Sequence, residues 1–380
     1  MAGIYLHIPF CKSRCVYCGF FSSTSLTLCN DYVQAVCREL DLRRDYLQDA
    51  PIDTIYLGGG TPSILTLRQL STLFDTIYNI YNVRAREITV ECNPDDVSHI
   101  GESEAFLDGL RRLGVNRLSI GVQTFDDARL RFLHRRHTAN QAFTAVALAQ
   151  SAGFDNVSID LMFGFPGQSL DSWRQDVDKA MAINVQHLSA YSLMYEEGTM
   201  LERMLSRGEL VEVPDELSLA MYEYLLDAAA ERGLEHYEIS NFALPGYQSL
   251  HNSGYWRGVP YLGVGAGAHS FDGKTRQSNA KDLLAYIRGG EKGAFPTEQE
   301  VLTPSEQYDE FVFTALRTRE GMDLQTLYSR FGSALYGYCL SCAGKHIEAG
   351  RLVYENNRLR LSRSGLFVSN DIMSDLMCVE

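Results

Sequence analysis

The sequence predicts an α/β protein: a partial (β/α)6-type, TIM-like barrel followed by a small C-terminal helical, winged-helix-like domain. Three observations carry this. Short strand-like runs alternate with amphipathic segments at intervals of roughly 30 to 50 residues, the rhythm of βαβ units and a parallel sheet. Five of the runs end in polar, glycine- or proline-rich text ("GGGTP", "ECNP", "GVQ", "DLMFGFP", "SLMYEEGT"). That is the end at which barrel strands converge on one mouth. After residue 285 the rhythm stops and the text turns mainly helical.

Taken in order, the strand runs are "IYLHIPF" (4–10), "TIYLGGG" (54–60), "EITVECNP" (87–94), "RLSIGVQ" (117–123), "NVSIDLMFG" (156–164), "QHLSAYSL" (186–193) and "EHYEISNFA" (235–243). Between them, "DYVQAVCRELDLRRDYL", "LRQLSTLFDTIYNIY", "ESEAFLDGLRRLG" and "NQAFTAVALAQSAGF" repeat apolar residues at three- and four-residue spacing, as helices packed on a sheet must. This predicts one domain over 1–285 and a second over 286–380. The second opens with a connector ("GGEKG", "PTEQEVLTPSEQ"). Helices follow at "SEQYDEFVFTALR", "DLQTLYSRFG" and "LYGYCLSCAGKHIEAG", then a hairpin in "RLVYENNRLRLS" turning at Asn356-Asn357.

Composition narrows the function. A chain of 380 residues with 45% apolar content can bury a sizeable core. The net charge of -14 argues against a nucleic-acid binder, which needs clustered Lys and Arg. Residues 301–380 carry eight Lys and Arg against ten Asp and Glu, so the wing-like module lacks a DNA footprint as well. No apolar stretch is long enough to span a bilayer, and the N-terminus lacks a basic leader. A cytoplasmic location is expected, where thiols stay reduced and a cysteine cluster signals metal or catalysis.

Three of the nine cysteines, Cys11, Cys15 and Cys18, crowd into "CKSRCVYCGF" directly after the first strand. Structural zinc asks for four closed ligands. No fourth is evident, since His7 lies in an apolar strand and Cys29 stands eleven residues away. Three thiolates suit an iron–sulfur cluster with one iron open to an exchangeable ligand.

The C-x3-C-x2-C spacing, with Tyr17 before the last cysteine and Gly58-Gly59-Gly60-Thr61-Pro62 one unit later, resembles the radical S-adenosylmethionine (SAM) superfamily. "YLGGGTPS", "VECNPDD", "LSIGVQTF", "LHRRHT" and "DLMFGFPGQS" are similar to its coproporphyrinogen III oxidase-like branch in order and spacing. The resemblance implies a 4Fe-4S cluster on Cys11, Cys15 and Cys18. It also implies SAM contacts from Tyr5, Tyr17, Gly59, Gly60, Thr61, Glu91, Gln123, Arg135 and Asp160. In the superfamily, reduction of the cluster cleaves the SAM sulfonium to a 5′-deoxyadenosyl radical.

Two subfamilies share these motifs: the oxygen-independent coproporphyrinogen III dehydrogenase, and a haem-chaperone subfamily called HemW. The dehydrogenase carries an N-terminal extension and a C-x-C after the cluster; here the first strand begins by residue 4 and Phe20 holds the second position. "HNSGYW" resembles the H-N-x-x-Y-W text of the chaperone branch. The resemblance therefore implies haem as a further cofactor, with His251, Tyr255, Trp256 and His269 as candidate contacts. Implied partners are a haem-acceptor protein, an electron donor such as a flavodoxin or ferredoxin, and peripheral membrane contact through the acceptor. No catalytic residue is assigned.

Overall fold

The computed structural model describes residues 1–378. Strand β1 (Ala2–Ile8) leads through the cysteine loop to α1 (Cys29–Leu42), and the pattern repeats. It continues as β2 (Ile52–Gly59), α2 (Leu67–Ile80), β3 (Val83–Cys92), α3 (Glu102–Arg112), β4 (Arg117–Gln123), α4 (Asp127–Phe132), α5 (Ala139–Ser151), β5 (Val157–Phe163), α6 (Leu170–Ala182) and β6 (His187–Ser192). The six strands pair in parallel in that order, as the sequence predicts. Leu118, Ile120 and Val122 of β4 point outward into the helix-packed core, while Ser119, Gly121 and Gln123 line an inner cavity. This two-residue alternation places a polar column on the inside of the barrel.

Beyond β6 the expected rhythm breaks. Helices α7 (Met200–Ser206) and α8 (Asp215–Glu231) precede "EHYEISNFA", which is not a seventh parallel strand but a hairpin, β7 (Glu235–Glu238) and β8 (Asn241–Ala243). Strand β8 closes that edge antiparallel to β6. Ile239-Ser240 is too short a link for anything but a tight turn, which the run of β-formers concealed. Helix α9 (Leu250–Trp256) follows. The seventh parallel strand is β9 (Tyr261–Val264), on the other side of β1. Strands β10 (His269–Phe271) and β11 (Thr275–Asn279), helix α10 (Leu283–Lys292) and strand β12 (Thr297–Val301) extend that edge.

The expected boundary at 285 falls inside α10, whose Tyr286 and Ile287 belong to the first core, and part of the expected connector is β12. A second core begins at Tyr308. It joins α11 (Pro304–Leu316), β13 (Met322–Asp323), α12 (Leu324–Glu348), β14 (Leu352–Glu355) and β15 (Arg358–Leu361). Helix α12 breaks at Gly332, whose φ of 79° is left-handed, so it is two helices as the sequence indicates. Asn356 and Asn357, with φ of 53° and 60°, make the expected hairpin turn.

Candidate functional site at the mouth of the barrel

At the C-terminal ends of β1–β6 lies a cavity of about 410 Å³. Its rim is the cysteine loop. Phe10 pairs with Ser23, and Cys11 N donates to Ser23 O at 3.0 Å, closing the loop at its base. Val16 is the anchor. Its side chain is buried with Leu133, Met162 and Leu201, and its backbone bonds Leu133 and Leu201. The loop is thus fastened from both sides, and Cys11, Cys15 and Cys18 stay half-exposed on the cavity, unpaired. Burial raises the Cys11 thiol and pushes Cys18 up to about 11. Among the described residues, no three His, Cys, Asp or Glu side chains converge on a single metal position.

The glycine run forms the wall facing the loop. A Cβ at Gly60 would meet the backbone of Ile8 and Phe10 at 2.8–2.9 Å, and Gly59 has a φ of 106°. Neither position accepts a side chain. Thr61 presents its hydroxyl 3.5 Å from Cys11 Sγ and accepts from Asn93 Nδ2 at 3.1 Å.

Beneath the rim stand two half-buried carboxylates. Glu91 accepts from Tyr56 Oη at 2.8 Å and Gly59 N at 3.1 Å; burial, chiefly, lifts it to about 7. Asp160 faces Ser119 Oγ at 3.5 Å and is lifted by burial to about 6. Arg135, in the loop between α4 and α5, donates to Asn93 Oδ1 at 2.7 Å and Gly121 O at 2.5 Å, and reaches Cys15 Sγ at 3.7 Å. Its neighbour Arg136 also borders the cavity but pairs with Asp95 at 3.2 Å. Gln123 stands at the cavity with a φ of 70°, strained for a side-chain-bearing residue.

The structure therefore brings together Tyr17, Gly59, Gly60, Thr61, Glu91, Gln123, Arg135 and Asp160 around the three thiols. It does not bring Tyr5 there. Tyr5 points into the barrel one step lower, its hydroxyl 3.0 Å from His7 Nδ1. His7 in turn holds Phe21 O at 3.1 Å through Nε2, fixing the loop's exit rather than offering a metal ligand.

The implied haem residues scatter. His251 is 4% exposed at the opposite, N-terminal end of the barrel. Its Nδ1 meets Thr54 Oγ1 and its Nε2 meets Tyr255 Oη, each at 2.8 Å; burial drives its pKa down to about 3. Both nitrogens are engaged, so in this arrangement His251 and Tyr255 are a plug for the barrel, not an open ligand. Trp256 packs under the Arg317 guanidinium at 4.8 Å. Only His269 is exposed, on the short strand β10 between β9 and β11. The preceding turn approaches the cysteine loop: a Cβ at Gly267 would stand 3.6 Å from Phe21.

Sequence reasoning passed over Asn93, which ties Thr61 to Arg135. Its signal was present, two residues after Glu91 and therefore on the same inward face.

A thiol-rimmed cavity at the mouth of an open parallel barrel defines a class. Residues 5–180 match the family model "Radical SAM superfamily", and residues 302–368 match "HemN C-terminal domain". The fold superposes on E. coli coproporphyrinogen III oxidase (HemN), a radical SAM enzyme. The TM-score is 0.84 at 22% identity, over 99% of this chain and 90% of that one. "Heme chaperone HemW" of Bacillus subtilis is 34% identical over 377 residues, 98% of each chain. Its E. coli namesake is 36% identical over 331 residues, 83% of this chain and 82% of its own. The chain belongs to the HemW family.

Proposed function

We propose that this protein is a haem chaperone that binds a 4Fe-4S cluster, SAM and haem, and passes haem to an acceptor haemoprotein. The observation that carries the cluster and SAM reading is the pairing of three accessible thiols with a glycine wall that admits no Cβ. Cluster thiolates each serve a different iron, so thiols that do not converge on one point fit that role. When bound, the reduced cluster supplies the electron that breaks the sulfonium bond. The chain's own residues position the nucleoside. Arg135 suits the carboxylate of SAM, Glu91 its ammonium, and Gln123 and Asp160 its ribose hydroxyls. Gly59, Gly60 and Thr61 allow close backbone approach, and Tyr17 shields the loop.

For haem, the support is the names of the full-length relatives. Of the two candidate histidines, His269 is the one exposed with the fold intact, whereas His251 becomes available only if α9 leaves the barrel floor. A flavodoxin or ferredoxin as electron donor, a cytoplasmic site and membrane contact through the acceptor complete the reading. Among the described residues no helix is long and apolar enough to cross a membrane.

The test is anaerobic reconstitution followed by haem transfer to an apo-haemoprotein, with coproporphyrinogen III offered in parallel. Haem transfer without protoporphyrinogen supports the chaperone; decarboxylation of the porphyrinogen overturns it in favour of a dehydrogenase. Titrating haem into His269→Ala and His251→Ala separates the two imidazoles. A Soret band unchanged in His269→Ala removes that residue from the site.

A further inference from the structure

Arg117 is one of the largest fully buried side chains, 1% exposed, and its Nε and Nη1 find no hydrogen-bond partner. A buried, unpaired guanidinium is costly, so a fold keeps one only where its charge is used. By strand alternation it shares the inward face of β4 with Ser119, Gly121 and Gln123. In register it sits beside Thr89, one inward step below the paired Glu91 and Ser119.

We infer that Arg117 is a positioning residue of the ligand site: from beneath, it holds Glu91 and Asp160 ionised, as a SAM ammonium and ribose require, without occupying their oxygens. The inference rests on the reading of the cavity as a SAM site and adds to it the cation that readies the acids. Burial works in the opposite direction, towards the protonated forms, and Arg117 is a charge opposing it at both acids.

Hydrogen bonds from Tyr56 and Gly59 to Glu91, and from Ser189 and Ser119 to Asp160, also favour the ionised forms; Arg117 is the cation that stands beneath them. Tyr5 of β1, Tyr56 of β2 and Tyr255 of α9 face Glu91 as neutral phenols. Ser189 and Tyr191 of β6 face Asp160, and the two acids repel each other. Arg135 also acts on Asp160, but from the cavity side, where it bonds Asn93, Gly121 and Cys15, and not from beneath. On the far side of Arg117, His187 and His251 are buried and kept neutral, and the buried Glu87, one inward step below Thr89, takes its donors from Ser249, Leu250 and His251 at the start of α9.

The experiment is SAM affinity of the anaerobic, cluster-loaded protein measured calorimetrically between about pH 6 and 8.5, for wild type, Arg117→Gln and Arg117→Lys. Wild-type affinity should fall with falling pH as the acids protonate. Without the cation their pKa values rise, so Arg117→Gln should move the inflection up by about one pH unit and bind roughly ten-fold more weakly near neutrality. Arg117→Lys should restore the wild-type inflection, and comparison with wild type cancels any titration of SAM itself. An unmoved inflection, or a loss equal at every pH, overturns the inference while leaving the SAM site standing. If wild type binds no SAM at any pH, the reading of the cavity falls and this inference with it. Should Arg117→Gln not fold, infrared spectra of wild type near pH 8 decide, with carboxyl bands assigned through Glu91→Gln and Asp160→Asn. Ionised carboxylates are expected; a protonated carboxyl band from either residue overturns the inference.

Discussion

The two ends of the barrel are lined by similar side chains and use them in opposite ways. At the mouth, Cys11, Cys15, Cys18, Glu91, Arg135 and Asp160 border open space and keep bonding capacity in reserve. At the floor, Glu87 accepts from Ser249 Oγ at 3.3 Å, Leu250 N at 2.7 Å and His251 N at 3.0 Å, capping the N-terminus of α9. His251 spends both nitrogens inside the same cluster and stacks on Tyr56 at 5.1 Å between ring centroids. A polar group with its partners already chosen stabilises; one left open can bind. The location agrees, because the C-terminal face of such barrels carries chemistry and the N-terminal face stability.

The sharpest way to break this comparison is to exchange damage between the ends. Cys15→Ala should abolish iron retention and the visible sulfide-to-iron absorption after anaerobic reconstitution, with little change in melting temperature. Iron bound at wild-type stoichiometry would place the cluster elsewhere. Glu87→Ala should do the reverse. It strips three donors of a buried charged acceptor and should cost roughly 3 kcal/mol of stability, read as a lowered denaturant midpoint. Cluster content should hold. If the Glu87 variant loses the cluster while keeping its midpoint, the floor is not a structural plug.

Much of the mouth was legible because its chemistry is local in sequence. Three thiols within eight residues, a glycine triplet ending β2, and Glu91 and Asp160 on the cavity side of their strands announce themselves before any folding. The floor was not, because its partners meet only when the sheet curls. Glu87 and Arg117 look like ordinary polar strand starts in "EITVEC" and "RLSIGVQ"; nothing local tells that both face inward. "HNSGYW" shows the converse. Its text suggested a ligand, yet Ser249 caps a helix that tucks the histidine under Gly3, where an added Cβ would lie 3.1 Å from the imidazole. The glycines of "GVGAGAHSF" suggested a tight backbone approach, so the exposed His269 on β10 ranked below the buried His251.

Acid titration sharpens the contrast further. The His251 pKa is lowered by burial, from an ordinary 6.5 to about 3. The neutral ring is therefore favoured in the folded state. Its contribution to stability is complete above pH 6.5 and is lost as pH falls towards 3, because the unfolded chain takes up the proton first. His251→Phe should flatten the acid limb of the stability profile over that window while leaving stability near pH 8 changed by only about 1–2 kcal/mol. An acid limb of unchanged slope would mean that the imidazole is solvated, and so open to a ligand after all.

The smallest expected effect lies where the second core touches the floor. Arg317, just after α11, lays its guanidinium over Trp256 at 4.8 Å and stands 3.6 Å from the buried Glu238. Ile239 N donates to Arg317 O at 3.1 Å, so the backbone contact survives a change of side chain. Arg317→Lys keeps the charge facing Glu238 but replaces a planar cation with a compact one, removing the stacking alone. The expected cost is about 0.5–1 kcal/mol. The chain has two tryptophans, and Trp173 is fully buried with its Nε1 bonded to Met221 O, so any change in emission comes from Trp256. A red shift with cluster and SAM binding untouched would show that the C-terminal domain steadies the floor without reaching the mouth. A change in SAM affinity would instead couple the two ends through α9, and the separation between plug and site would then be one of degree.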